Sequence, residues 1–260
     1  MNYQDLILIA FVFSLFSCSD DESFSVECIP DNLQNGVIAL YPFSNGSLAD
    51  ASGNGNDLDN NTTAKPGFDR QGNAQCAFEF DNLPISSEFL STENTSFLDG
   101  LNELSISLWY QPQDSSRAIG AFEVLISRDE GPHCPDTYGQ WSIGLYDCRK
   151  AVFGYKNSVW DEHTPGNSCE MESDALTGHW HHLAVTYNHS GNTLKLYRNG
   201  VLKSTKTGIA DCGMVPTVED IGDLFLGRDY TGRMDDVLIY ERELTAAEVS
   251  QLSELEPCCD

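Results

Sequence analysis

Short runs of alternating apolar and polar residues recur along the chain, separated by clusters of Gly, Asn, Asp and Pro. Leu104-Ser105-Ile106-Ser107-Leu108 is one such run and Ala77-Phe78-Glu79-Phe80-Asp81 is another. A period of two puts their apolar side chains on one face, which marks a half-buried strand. Leu194–Arg198 and Val201–Lys203 flank Asn199-Gly200, a pair suited to the positive φ angles of a type I′ turn, so a hairpin is expected there. Toward the end of the chain Met234, Val237 and Ile239 are read on one face of a strand and Leu238 and Tyr240 on the other. A helical period follows only once, where Thr245 and Glu248 form a capping box and Leu244 is placed to staple onto Val249. The pattern predicts an all-β sandwich or jellyroll with a short C-terminal helix. With no linker or internal repeat, the 260 residues are read as one globular domain.

The N-terminus follows a different rule. Leu6 to Ser17 is an almost unbroken apolar run, too short to span a bilayer as a helix but suited to the core of a signal peptide. It ends in Leu15-Phe16-Ser17-Cys18, which resembles the lipobox of bacterial lipoproteins. That resemblance implies cleavage after residue 17 and lipidation of Cys18. The acidic tract Ser19-Asp20-Asp21-Glu22-Ser23 resembles the export signals of Bacteroidota surface lipoproteins; its other reading is a solvated linker. The expected organisation is a signal peptide (1–17), a lipidated acidic tether (18–35) and a globular domain (36–260). It implies an outer-membrane lipoprotein facing the cell surface and held in the membrane by lipid alone.

Five segments in order carry a family resemblance. Val37–Phe43 with the loop Asp50-Ala51-Ser52-Gly53-Asn54-Gly55-Asn56-Asp57, then Ala77–Asp81, Leu104–Tyr110, Gly178–Tyr187 and Leu226–Val249, resemble laminin-G-like, concanavalin A-like jellyroll domains. The resemblance implies two antiparallel sheets. It also implies a structural calcium ion held by Asp50, Asn54 and Asp236, with Asp235 competing for the last role. The loop alone equally suits simple Asx turns, whereas calcium would take six to eight oxygens from such acidic, glycine-rich elements. His179 and His181 share a strand face but lack a third zinc ligand, and the resemblance implies that Trp180 and His182 are packed core residues.

Cysteine usage agrees with export. Apart from Cys18 there are eight, Cys28, Cys76, Cys134, Cys148, Cys169, Cys212, Cys258 and Cys259, an even number that suggests four disulfides. Because the first and last strands of a jellyroll are neighbours, the resemblance pairs Cys28 with Cys258 or Cys259; Cys134 is expected to meet Cys148.

Charge narrows the partners. The chain has 40 acidic and 14 basic residues, a net of −26, and cleavage before Cys18 removes only Asp5, leaving −25. Such a field repels nucleic acid and anionic lipid, so no nucleic-acid partner is expected. Lys195, Arg198, Lys203 and Lys206 gather around the hairpin, where they read as charges protecting a sheet edge.

The paired-carboxylate signature of laminarinase-like hydrolases, the Gly-x-Ser-x-Gly elbow and the phosphate loop are all absent. The reading is therefore recognition rather than chemistry: a polysaccharide or other glycan lying on aromatic rings. Residues 129–176 are the least family-like, and Trp160, beside Asp161 and Glu162, is the first candidate ligand contact there. Tyr230 is the second, while Trp141 and Tyr155 are expected in the core. A protein-binding adhesin and a glycoside hydrolase or lyase are the alternatives.

Overall fold

The computed structural model describes residues 28–82, 87–113, 122–128, 139–146, 148–155, 157–162, 165–208 and 222–259. In chain order, a short helix α1 (Asp31–Gln34) precedes strands β1 (Val37–Tyr41), β2 (Lys65–Phe68), β3 (Ala74–Asp81), β4 (Leu90–Thr92) and β5 (Glu103–Pro112). Strands β6 (Glu123–Arg128), β7 (Trp141–Tyr146), β8 (Lys150–Gly154) and β9 (Ser158–Trp160) follow, then helix α2 (Cys169–Leu176). The last elements are β10 (His181–Asn188), β11 (Thr193–Arg198), β12 (Val201–Thr207), β13 (Leu224–Leu226), β14 (Thr231–Tyr240) and helix α3 (Ala246–Leu252). None of the described helices is long and apolar enough to cross a membrane.

The strands form two antiparallel sheets. The larger runs β12-β11-β10-β5-β14-β3-β2, with β1 also paired to β14, and the smaller runs β4-β13-β6-β7-β8-β9. Alternation decides what lies between them. Ile106, Leu108 and Tyr110 of β5 join Leu183, Val185 and Tyr187 of β10 in the main core, against Trp141, Ile143 and Phe153 of the smaller sheet. Each such side chain contributes roughly 1.5–3 kcal/mol by leaving water.

The outer face of the larger sheet is also covered. Leu40, Leu238 and Tyr240 form a second apolar cluster with Ile29, Leu33 and residues of α3. Leu238 and Tyr240 therefore face away from the main core, as read, but into another apolar layer rather than water. The Thr245–Glu248 capping box is present in both directions, and Leu244 and Val249 are buried together. Asn199 and Gly200 have φ angles of 50° and 74°, as the hairpin requires. β12 is an edge strand, and two of its neighbouring cations are already paired, Lys195 with Glu243 (2.6 Å) and Arg198 with Asp161 (2.8 Å).

β14 contains the main irregularity. Its register against β5 shifts between Asp235 and Leu238, and Asp236 has a φ of 44°. This is a β-bulge, which inserts one residue and turns the side chains after it. It explains how Met234 and Val237, three apart, share one face.

Disulfides join Cys28 to Cys258, Cys76 to Cys259 and Cys148 to Cys169. The first agrees with the expected joining of the two ends of the chain. The expected Cys134–Cys148 bridge is corrected, because Cys148 is bonded to Cys169, whose Cα lies 4.8 Å away. Cys134, Cys212 and Cys18 lie outside the described residues. The acidic run Glu170–Asp174 lies within helix α2, with Ser168 as N-cap accepting from the Met171 N–H. Trp180 is only half-buried and precedes β10 rather than lying in its core face.

Candidate functional site

At its β4 edge the smaller sheet forms a cleft of about 570 Å³, within the range of small-molecule sites. Its floor follows from alternation. Leu224 and Leu226 of β13 point into the main core, which turns Phe225 to the outer side of the sheet opposite Ser91 of β4, where it is itself largely covered (8% exposed). The Phe89 ring meets Phe225 edge-on, with centroids 5.4 Å apart and planes at 82°, and the Arg228 guanidinium lies 4.8 Å over Phe225.

The cleft has one wall built by a loop. Asp59 and Ser91 exchange both backbone hydrogen bonds, at 2.7 and 3.0 Å, so the segment carrying Asp59 and Asn61 runs along the outer edge of β4. Glu93 and Asn94 line the site from the turn after β4, and Asp223 from the start of β13. Asp59, Asn61, Glu93 and Asn94 are exposed. The arrangement offers aromatic carbon below and oxygen acceptors, amides and one guanidinium around it. A ligand rich in both C–H faces and hydroxyls matches that chemistry. Reading the sequence did not single out any of these residues. The signal that could have found the cleft is Phe225 itself, an aromatic in the outward position between two inward leucines.

The residues singled out from sequence lie elsewhere. Trp160 is half-buried on β9, the opposite edge of the same sheet, with its ring 5.8 Å from Tyr146 and its indole N–H donating to Ser158 Oγ. Tyr230 is a correction. It is fully buried, packs 6.4 Å from Phe80 and donates its hydroxyl to the Arg233 carbonyl, so it is a core residue and offers no face to a ligand. Burial pushes its hydroxyl pKa well above the ordinary value. Trp141 is buried as expected, whereas Tyr155 is half-buried and packs edge-on against Tyr187 at 4.4 Å. His182 is a core residue, its Nε2 2.8 Å from Ser107 Oγ, and His181 Nε2 lies 3.0 Å from the Leu176 carbonyl.

The residues assigned to calcium belong to two separate networks. Asp50 uses both carboxylate oxygens on backbone N–H groups: Oδ1 accepts from Leu40 and Ser52, and Oδ2 from Asn56. Asn54 points its amide nitrogen at the Val37 and Ile38 carbonyls and at Ser52 Oγ. The loop is thus folded by its own hydrogen bonds. Asp236 instead meets Arg70 Nη1 at 2.8 Å, and Asp235 meets the same nitrogen at 2.6 Å. Burial raises the pKa of both carboxyls, and Arg70 opposes that shift. Among the described residues, the three-residue cluster spaced for a metal is Asp69, Cys76 and Cys259, and its cysteines are joined in a disulfide. At β14 the cation beside Asp235 and Asp236 is already Arg70, so these two carboxylates do not fit a calcium ion shared with the loop.

Asp161 also has a raised pKa, through burial, and is paired with Arg198. These three buried carboxyls are therefore arginine partners outside the cleft.

Comparison with known proteins agrees with the architecture. Residues 86–250 match the model of the concanavalin A-like lectin/glucanases superfamily. No curated protein matches the chain in sequence. Among solved structures, the botulinum neurotoxin serotype D binding domain is similar, with a TM-score of 0.64 and 14% identity over 86% of this chain and 53% of that one. The binding domain of Paraclostridial Mosquitocidal Protein 1 gives 0.60 and 19% over 85% and 52%. A structure of botulinum neurotoxin type C, a toxin whose cell entry depends on interaction with two ganglioside molecules, gives 0.63 and 17% over 85% and 51%. The chain spans about half the length of these structures. At such identities the likeness concerns the fold. The family match covers more than half of the chain, and the chain belongs to the concanavalin A-like lectin/glucanases superfamily.

Proposed function

We propose that this protein is a non-catalytic glycan-binding domain, displayed at the outer-membrane surface on a lipid attached to Cys18, and that it takes a neutral sugar chain in the β4–β13 cleft. The observation that carries this is the half-buried Phe89 ring, seated edge-on against the buried Phe225, beneath a rim of amides and carboxylates. An aromatic ring receives the C–H face of a pyranose, and the rim oxygens accept from its hydroxyls. Asp59, Glu93 and Asp223 beside a single arginine, on a chain of net charge −26, disfavour uronate or sulfate groups. Ganglioside interaction by a toxin of related fold supports carbohydrate recognition as a use of this architecture. The proposal assigns no role to calcium, because Arg70 already neutralises Asp235 and Asp236.

The test is a polysaccharide array probed with the folded protein, reading both retention and release of reducing ends. Phe225→Leu keeps apolar volume and removes the ring; retention is expected to weaken about tenfold, equivalent to about 1.4 kcal/mol. Unchanged retention would remove the cleft from the proposal, and released sugar ends would favour the hydrolase reading. A protein-binding adhesin is the second reading. It is favoured by Val201 and Leu202, which are adjacent and exposed on the edge strand β12. A folded protein that retains no glycan would move that reading to first place.

A further inference from the structure

We infer that Arg70 is a built-in cation that takes the place of a divalent ion in this domain, neutralising the paired aspartates of β14 and fixing the C-terminal tail, so that the fold is independent of calcium.

Four observations converge on this residue. Consecutive strand residues normally point to opposite faces, yet the bulge in β14 brings both Asp235 and Asp236 to Arg70 Nη1, at 2.6 and 2.8 Å. The arginine is delivered by a braced turn between β2 and β3, where Asp69 Oδ1 accepts the N–H groups of Gln71 and Asn73. Its other terminal nitrogen, Nη2, donates to the Leu255 carbonyl at 3.0 Å. The guanidinium carbon lies 4.6 Å over the Trp109 ring. A planar guanidinium supplies a fixed fork of donors and stacks on aromatic faces, which a spherical hydrated ion does not do.

The consequence reaches the end of the chain. Asp236 also accepts the Cys258 N–H, at 3.1 and 3.2 Å to its two oxygens. Cys258 is bonded to Cys28, and the next residue, Cys259, to Cys76. One cation, two carboxylates and two neighbouring disulfides thus hold the tail on the larger sheet. A divalent ion entering here would face the arginine's positive charge at contact distance. Asp50, the other assigned ligand, folds its own loop by accepting three backbone N–H groups.

This inference does not depend on glycan binding, and its test reads stability alone. Melting temperatures of the full-length chain would be measured in calcium and in magnesium at matched ionic strength, so that general screening of its acidic surface cancels. The wild type is expected to melt at the same temperature in both. Arg70→Lys keeps the charge but loses the fork and the stacking, and is expected to melt lower in both salts. A wild type that melts higher in calcium than in magnesium would overturn the inference, as would an Arg70→Lys protein as stable as the wild type. If Arg70→Lys does not fold, the wild-type comparison decides.

Discussion

His182 is expected to make the stability of the larger sheet depend on pH. It is fully buried, 5.4 Å from Trp109 and bonded through Nε2 to Ser107, and its Nδ1 has no hydrogen-bond partner among the described residues. Burial and the nearby Arg70 charge lower its pKa from 6.5 to about 3. Between these values the unfolded chain binds a proton that the folded chain does not. Stability from this residue is therefore complete above pH 6.5 and falls as pH drops toward about 3, with a slope of about 1.4 kcal/mol per pH unit. His182→Gln is expected to flatten that part of the profile relative to wild type, measured by denaturant melts across the window; an unchanged slope would refute it. The core role of His182 followed from the family resemblance; the same reading of Trp180 failed because β10 begins only at His181. The burial of Tyr230 was not legible, because its position next to a turn gives no sign of the Phe80 contact that a paired β3 supplies.

The two longer helices show what makes an element legible. α3 has a capping box and an apolar stripe, Val249 and Leu252, and both are visible in the sequence. α2 buries only Glu172 and Leu176 and leaves Met171 exposed, so it lacks the periodicity that would identify it. Its Ser168 cap and first-turn glutamates were the signals that could have revealed it. Contacts from elsewhere in the chain hold it: the Cys148–Cys169 bridge and the Lys150–Glu172 pair at 3.5 Å. The bridge closes a separation of 21 residues, for which the chain-entropy model gives about 3 kcal/mol. Replacing both cysteines by alanine is expected to lower unfolding free energy by about that amount. Denaturant melts would check it, and no loss of stability would mean that the bridge is dispensable. The bridged Cys148 and its neighbour Arg149 have φ angles of 72° and 57°, a left-handed turn that non-glycine residues seldom adopt.

For the whole molecule, the proposed surface placement rests on the apolar leader, Cys18 and the acidic tract that follows it. Cys18→Ala is expected to abolish incorporation of labelled palmitate and to move the protein out of the membrane fraction; continued labelling would refute the anchor. Within the domain, the apolar faces of β3 and β5, the Asn199-Gly200 hairpin and the cap of α3 could be read from local sequence alone. Those properties follow from side-chain periods and φ preferences of neighbouring residues. Only the tertiary structure decided that Asp235 meets an arginine 165 residues away, that Cys148 chooses Cys169, and that Phe89 and Phe225 share a cleft at the β4 edge. Each of these depends on sheet order, strand register and a single bulge, which bring together residues whose local sequences do not encode one another.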